Sequence, residues 1–176
     1  ELRELESEAD FVLVDAGSGL GPGITMLAAA AEQVVIVSTP EPTSVADAHA
    51  AISRFQRLPA APRLRVLVNQ AASASEATDV LDRLVASSRH FLGAVVSPLW
   101  PGCVCTDPHV PMAVRTRRPF STAYPTAKAS RAVRRVARAL VRERHPPLRD
   151  HRTGFFATVA ARWKPSRVAS RDVTTH

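Results

Sequence analysis

Cysteine is almost missing from this chain. Cys103 and Cys105 are the two in 176 residues, which excludes a disulfide-stapled scaffold and suits a reducing compartment. No run approaches 18 consecutive apolar residues, so the sequence offers no membrane span. A basic, apolar leader is missing too. The opening residues, ELRELESEAD, are acidic and helical in character, and no signal peptide is expected. The chain opens on Glu1 rather than Met, so we expect a preceding N-terminal portion. Lysine is scarce: Lys128 and Lys164 stand against 21 arginines. What is present, 45% hydrophobic and 22% charged residues, fits one globular domain with a core. A multidomain enzyme and a wholly disordered chain are excluded.

Charge is uneven along the chain. Residues 1–110 carry 7 Lys+Arg and 13 Asp+Glu, while residues 111–176 carry 16 and 3. A basic C-terminal third implies an acidic partner, whether nucleic acid, anionic lipid or an acidic protein surface.

Short apolar runs punctuate the first two thirds: Phe11–Val14 ending at Asp15, Val34–Val37, Val66–Val68 ending at Asn69, and a weaker Leu99–Val104 broken by Pro101 and Gly102. Continuous runs without alternation mark strands buried on both faces, as in a parallel sheet. Helical spacing lies between them over 24–32, 43–57, 75–89 and 127–143. Thr43 or Ser44 caps the second of these, with Asp47 completing a capping box. Ser75 starts the third, whose apolar face holds Val80, Leu81, Leu84 and Val85. The alternation predicts an α/β fold with a doubly wound, mainly parallel sheet. Ligands bind such sheets beyond the carboxyl ends of the strands, where Asp15, Thr39 and Asn69 fall. Residues 108–125 read as a proline-punctuated loop. The reading divides the chain into a domain over 1–145, a linker over 146–151, an amphipathic helix over 152–164 and a disordered tail over 165–176.

The richest segment runs from Asp15 to Gly23, DAGSGLGPG. A carboxylate at a strand end followed by glycines can order a Mg²⁺ shell and offer N–H groups to phosphate. A dinucleotide fingerprint fails, since Pro22 stands where its third glycine belongs. A nucleophile elbow fails as well, since Ala16 stands two before Ser18. A glycine-rich turn with no ligand is the alternative. Cys103 and Cys105 share a strand face, with His109 nearby, but no second cluster completes a Zn²⁺ site; they read as buried structural cysteines. Over Ser130–Arg144 the expected packed face is Val133, Ala137 and Leu140, with Arg131, Arg134, Arg135, Arg138 and Arg142 around the rest. Such a helix either lies on phosphates or solvates its arginines. Farther on, Phe155, Phe156, Val159 and Trp163 fall in one arc flanked by Arg162. That pattern suits an interfacial membrane helix, or a helix docked back on the domain.

The runs DFVLVDAGSGLGPGI, VVIVSTPEPTSVADAHAAI, VLVNQA and PGCVCTDPHVPMAV, in this order, resemble the MinD/ParA superfamily of deviant Walker ATPases. The likeness spans nearly all of residues 8–143. The second run looks most like the MinD-like branch that sets flagellar number and placement, and residues 152–164 resemble that branch's membrane-targeting helix. The resemblance implies a P-loop NTPase-like fold, ATP and Mg²⁺ as cofactors, and an ATP-dependent homodimer on the inner face of the plasma membrane. It implies a catalytic Asp15 ordering Mg²⁺ through water and a Gly19 whose N–H meets the γ-phosphate. It further implies an Asn69 reading the adenine edge and a Glu41 facing nucleotide across the dimer. Phe155, Phe156, Val159 and Trp163 are the implied membrane contacts, and a protein regulator the implied partner. Two departures stand out. The family's lysine-bearing phosphate loop has no counterpart in this sequence, so the chain alone is not expected to hydrolyse ATP. Cys105 also replaces the family's usual proline. The expected function is an ATP-dependent spatial regulator of flagella or of the division site. The alternatives are a ParA-like partition protein binding DNA non-specifically, and a non-catalytic interaction module.

Overall fold

The computed structural model describes residue 6 and residues 8–93, 96–142 and 154–162. Three strands, β1 (Gln33–Ser38), β2 (Arg63–Ala71) and β3 (Val96–Cys105), form a parallel sheet in the order β1-β2-β3. Helix α1 (Pro22–Ala30) precedes β1, α2 (Pro42–Gln56) joins β1 to β2, and α3 (Ala74–Leu92) joins β2 to β3. After the sheet come α4 (His109–Arg115), α5 (Phe120–Ala123), α6 (Lys128–Arg142) and α7 (Phe155–Arg162).

Both sheet faces are covered at the centre. On one face Ile52 and Phe55 of α2 and Val80, Leu81 and Leu84 of α3 pack on Leu64, Val66 and Val68 of β2. On the other, Ala129 and Ala132 of α6 meet Val104 of β3, with Leu67, Val110 and Phe120 around them. Burial on both faces is why Val66–Val68 of β2 reads as an unbroken apolar run, whereas Arg63 and Arg65 alternate with Leu64 and Val66 at its start. Helix α3 begins with a capping box: Ser73 Oγ accepts from the Glu76 N–H at 3.1 Å, and Glu76 Oε2 accepts from the Ala72 N–H at 2.7 Å. It ends at Gly93 in the left-handed region (φ 60°), a conformation glycine adopts without penalty.

Four expectations need correction. Phe11–Val14 forms no strand, and Leu13 is 84% exposed. Apolar side chains favour a strand only where a neighbour completes its ladder. Among the described residues no strand pairs with this segment or with the outer edge of β1. Val37 of β1 is correspondingly 56% exposed. Residues 108–125 hold two short helices, α4 and α5, because the prolines sit at helix starts, where their missing N–H costs nothing. Neither Thr43 nor Ser44 caps α2; its N-cap is Glu41, which makes no side-chain capping bond. Finally, α6 buries Ala129, Ala132 and Val136, not the expected Val133 and Ala137, which face outward. The small alanines let the helix approach β3 closely, which Val133 would prevent. The linker over 146–151 and the tail over 165–176 lie outside the described residues.

Candidate functional site

The carboxyl ends of β1, β2 and β3 lie side by side, as the parallel ladder requires. At the end of β1, Ser44 reaches back from the first turn of α2. Its Oγ accepts from the Thr39 N–H at 2.9 Å and lies 3.2 Å from Ser38 Oγ, which itself donates to the Thr39 carbonyl. This clasp fixes the turn carrying Glu41, whose side chain is exposed. Ser38 is buried, so the clasp is anchored in the core.

At the end of β2 the ladder shifts register between Asn69 and Ala71. Gln70 takes the extra position with φ 58°, an uncommon conformation for a non-glycine residue. Such a bulge re-aims the side chains beside it. Asn69 Oδ1 accepts from the Gln70 N–H at 3.0 Å. Its carboxamide NH₂ makes no hydrogen bond among the described residues. Thr106, just past β3, holds the bulge closed: its Oγ1 donates to the Gln70 carbonyl at 3.0 Å and its N–H to the Ala71 carbonyl at 2.9 Å.

Asp107 follows at once and is buried. One carboxylate oxygen accepts from the His109 N–H at 3.0 Å and lies 2.8 Å from His109 Nδ1; the other accepts from the Ala129 N–H at 2.9 Å. A single side chain thus ties the starts of α4 and α6 to the end of β3. The Ala129 N–H, then the His109 N–H, then the imidazole hold its carboxyl at about 2, against an ordinary 3.8. The His109 ring in turn packs on Tyr124, with centroids 4.7 Å apart.

The sequence-predicted residues separate into two groups. Thr39, Glu41 and Asn69 stand at the sheet edge. Asp15 and Gly19 lie on an exposed segment that no ladder carries there; Asp15 Oδ1 accepts from the Gly17 N–H at 3.1 Å, and Gly19 has φ 99°. Cys103 and Cys105 are half-buried and free, not buried structural cysteines as expected. Burial first, and then the neighbouring Cys105 thiol, push the Cys103 thiol up, while the Arg135 guanidinium opposes them. Sequence reasoning missed Gln70, Thr106 and the double cap at Asp107. The last had a signal: Asp-Pro before a helical stretch is a helix-start pattern. Gln70 had none.

Helix α7 lies against α1. Phe155, Phe156 and Val159 are half-buried, and the Glu6 carboxylate accepts from the Phe155 N–H at 2.5 Å and the Phe156 N–H at 3.4 Å. Arg162 Nη1 donates to the Ala29 carbonyl at 3.4 Å. Trp163 lies outside the described residues. None of the helices among the described residues is long and apolar enough to cross a membrane.

No protein-family model matches the chain. Two relatives do. The antiactivator FleN of Pseudomonas aeruginosa is 32% identical over 134 residues, covering 76% of this chain and 47% of FleN. The flagellum site-determining protein YlxH of Helicobacter pylori is 30% identical over 97 residues, covering 51% of this chain and 32% of YlxH. The chain spans about half the length of the first relative and a third of the second. With its parallel α/β sheet and these two homologues, the chain belongs to the MinD/ParA superfamily.

Proposed function

We propose that the chain is part of a nucleotide-dependent regulator of flagellar number or placement that works at the membrane surface. The alignment with FleN over three quarters of the chain carries this reading. The donor set fits two ends of a Mg²⁺–ATP complex. The Asn69 carboxamide offers NH₂ donors suited to a base edge, and the Asp15 carboxylate suits water-mediated Mg²⁺. When bound, the nucleotide supplies a hydrolysable phosphoanhydride. This chain's own residues bind and orient: Asn69 at the base, the Gly19 N–H toward the terminal phosphate, and Glu41 across a homodimer. No lysine here follows a glycine-rich turn. We therefore assign the phosphate cradle to a portion of the full protein whose strand pairs with the open edge of β1 and with Phe11–Val14.

Membrane attachment is assigned to α7. The helix lies against α1 in this conformation, so attachment requires release, and pairing of two chains then converts two weak anchors into a stable one. An unidentified protein regulator completes the scheme, which works in the cytoplasm at the inner membrane face. The test is a count of flagella per cell after deletion of the gene. The reading expects an altered number, restored by the natural gene and not by Asp15→Ala. An unchanged count in the deletion strain rejects it.

One observation favours a second reading. Arg131, Arg134, Arg135 and Arg138 are all exposed on α6, which suits a partition-type protein holding duplex DNA through its phosphates. Duplex affinity falling steeply with salt, with no liposome binding, would favour that reading.

A further inference from the structure

We infer that Cys103 and Cys105 form a two-thiolate clamp for a soft, two-coordinate cation with the chemistry of cuprous copper. Residues two apart on a strand face the same way, and Cys103 packs toward the α2–α3 side while the intervening Val104 packs under α6. Both lie at the carboxyl end of β3, and both are half-buried, hence reachable from solvent.

Geometry favours an ion over a sulfur–sulfur bond. Two residues of strand separate the Cα atoms by about 6.4–6.8 Å, the upper limit of the roughly 4.4–6.8 Å that disulfides tolerate. The parallel Cα–Cβ directions of i and i+2 make closure harder still. An ion with metal–sulfur bonds near ~2.3 Å spans up to ~4.6 Å between sulfurs when the bonds are collinear, so it closes without bending the strand.

The ligand count selects the ion. Zn²⁺ takes four protein ligands in a closed site, and among the described residues no group of three or more His, Cys, Asp and Glu side chains is placed to hold a metal. Two thiolates, with no third His, Cys, Asp or Glu side chain placed beside them among the described residues, suit a monovalent thiophilic cation. On binding, each thiol releases its proton to solvent and the sulfur–metal bonds form, with no change of oxidation state. The bis-thiolate complex carries one negative charge.

The clamp stands at the strand end from which Thr106 holds the Gln70 bulge. Occupancy therefore stiffens the turn that aims Asn69, but the clamp is independent of the nucleotide reading, and so is its test. The reduced 176-residue chain is titrated anaerobically with Cu(I) against a chromophoric Cu(I) chelator. One equivalent per chain is expected to compete. Cys103→Ser and Cys105→Ser should each weaken binding by at least the roughly 100-fold that losing an outer-shell partner can cost. In the natural chain, Cu(I) should also shield both thiols from alkylation, a measurement that needs no variant. Undiminished binding in either serine variant, no competition with the chelator, or alkylation unaffected by copper would each overturn the proposal.

Discussion

Replacing Ser44 by alanine isolates the clasp at the end of β1. The change removes the acceptor of the Thr39 N–H (2.9 Å) and the neighbour of Ser38 Oγ (3.2 Å). Ser38 keeps its bond to the Thr39 carbonyl, so the main loss is one backbone donor left unpaired. An unsatisfied buried donor costs about 1–3 kcal/mol. Thr39 is half-buried rather than buried, which places the expected cost near the lower end, about 1–2 kcal/mol. For a chain of this size each kcal/mol lowers Tm by roughly 2–4 °C, so a drop of about 2–8 °C is expected. Thermal unfolding followed by circular dichroism reads the total, and hydrogen exchange at the Thr39 amide reads the cause. That amide should exchange faster in Ser44→Ala while the amides of β2 are unchanged. Thr43→Ala is the control: its side chain is exposed and makes no cap, so the variant should stay within about 0.5 kcal/mol of the parent. If Ser44→Ala shifts neither Tm nor Thr39 exchange, or if Thr43→Ala costs as much, the clasp is not what holds this turn.

Four further outcomes are expected. The 176-residue chain should show no ATP hydrolysis above background, measured as phosphate release; turnover abolished by Asp15→Ala would contradict the missing-cradle argument. Asp107 titrates at about 2 when folded against 3.8 ordinarily, a depressed value. Its contribution is therefore complete above the ordinary value and is lost as pH falls from about 4 toward 2. Urea midpoints at about pH 5 and about pH 3 should converge in Asp107→Asn relative to the parent, and parallel acid profiles would refute the assignment. Phe155→Glu with Trp163→Glu should abolish co-sedimentation with anionic liposomes while leaving the circular dichroism of the domain intact; retained binding removes α7 from the membrane reading. Glu6→Gln removes a charge from the start of α7, so it should loosen the docked helix and raise liposome binding; a decrease would count against docking as the competing state.

The elements readable from sequence are those whose pattern and packing agree. Val66, Leu67 and Val68 are apolar because both faces of β2 are covered, and Val80, Leu81 and Leu84 mark the one side of α3 that meets the sheet. Helix α6 misled because two of its faces repeat at helical spacing. Hydrophobicity favours Val133 and Ala137, whereas the sheet accepts Ala129, Ala132 and Val136, whose alanines allow close approach. Composition along one helix cannot register how near the other partner must come. Phe11–Val14 misled for a related reason: an apolar run describes one strand, but a strand exists only as half of a ladder. The same nonlocality governs the site. Asn69 was legible as a polar residue ending an apolar run. What aims it is the bulge at Gln70, held by a hydroxyl 36 residues away, and then a carboxylate at Asp107 that holds α6 from a further 22 residues off. Local sequence therefore places Thr39 and Asn69 at the carboxyl ends of their strands, but not Asp15 and Gly19, which no ladder carries there, and contacts between distant segments set the direction of the side chains. The side chains most worth substituting next are thus Thr106 and Asp107, which hold the bulge at Gln70 and the start of α6 in place.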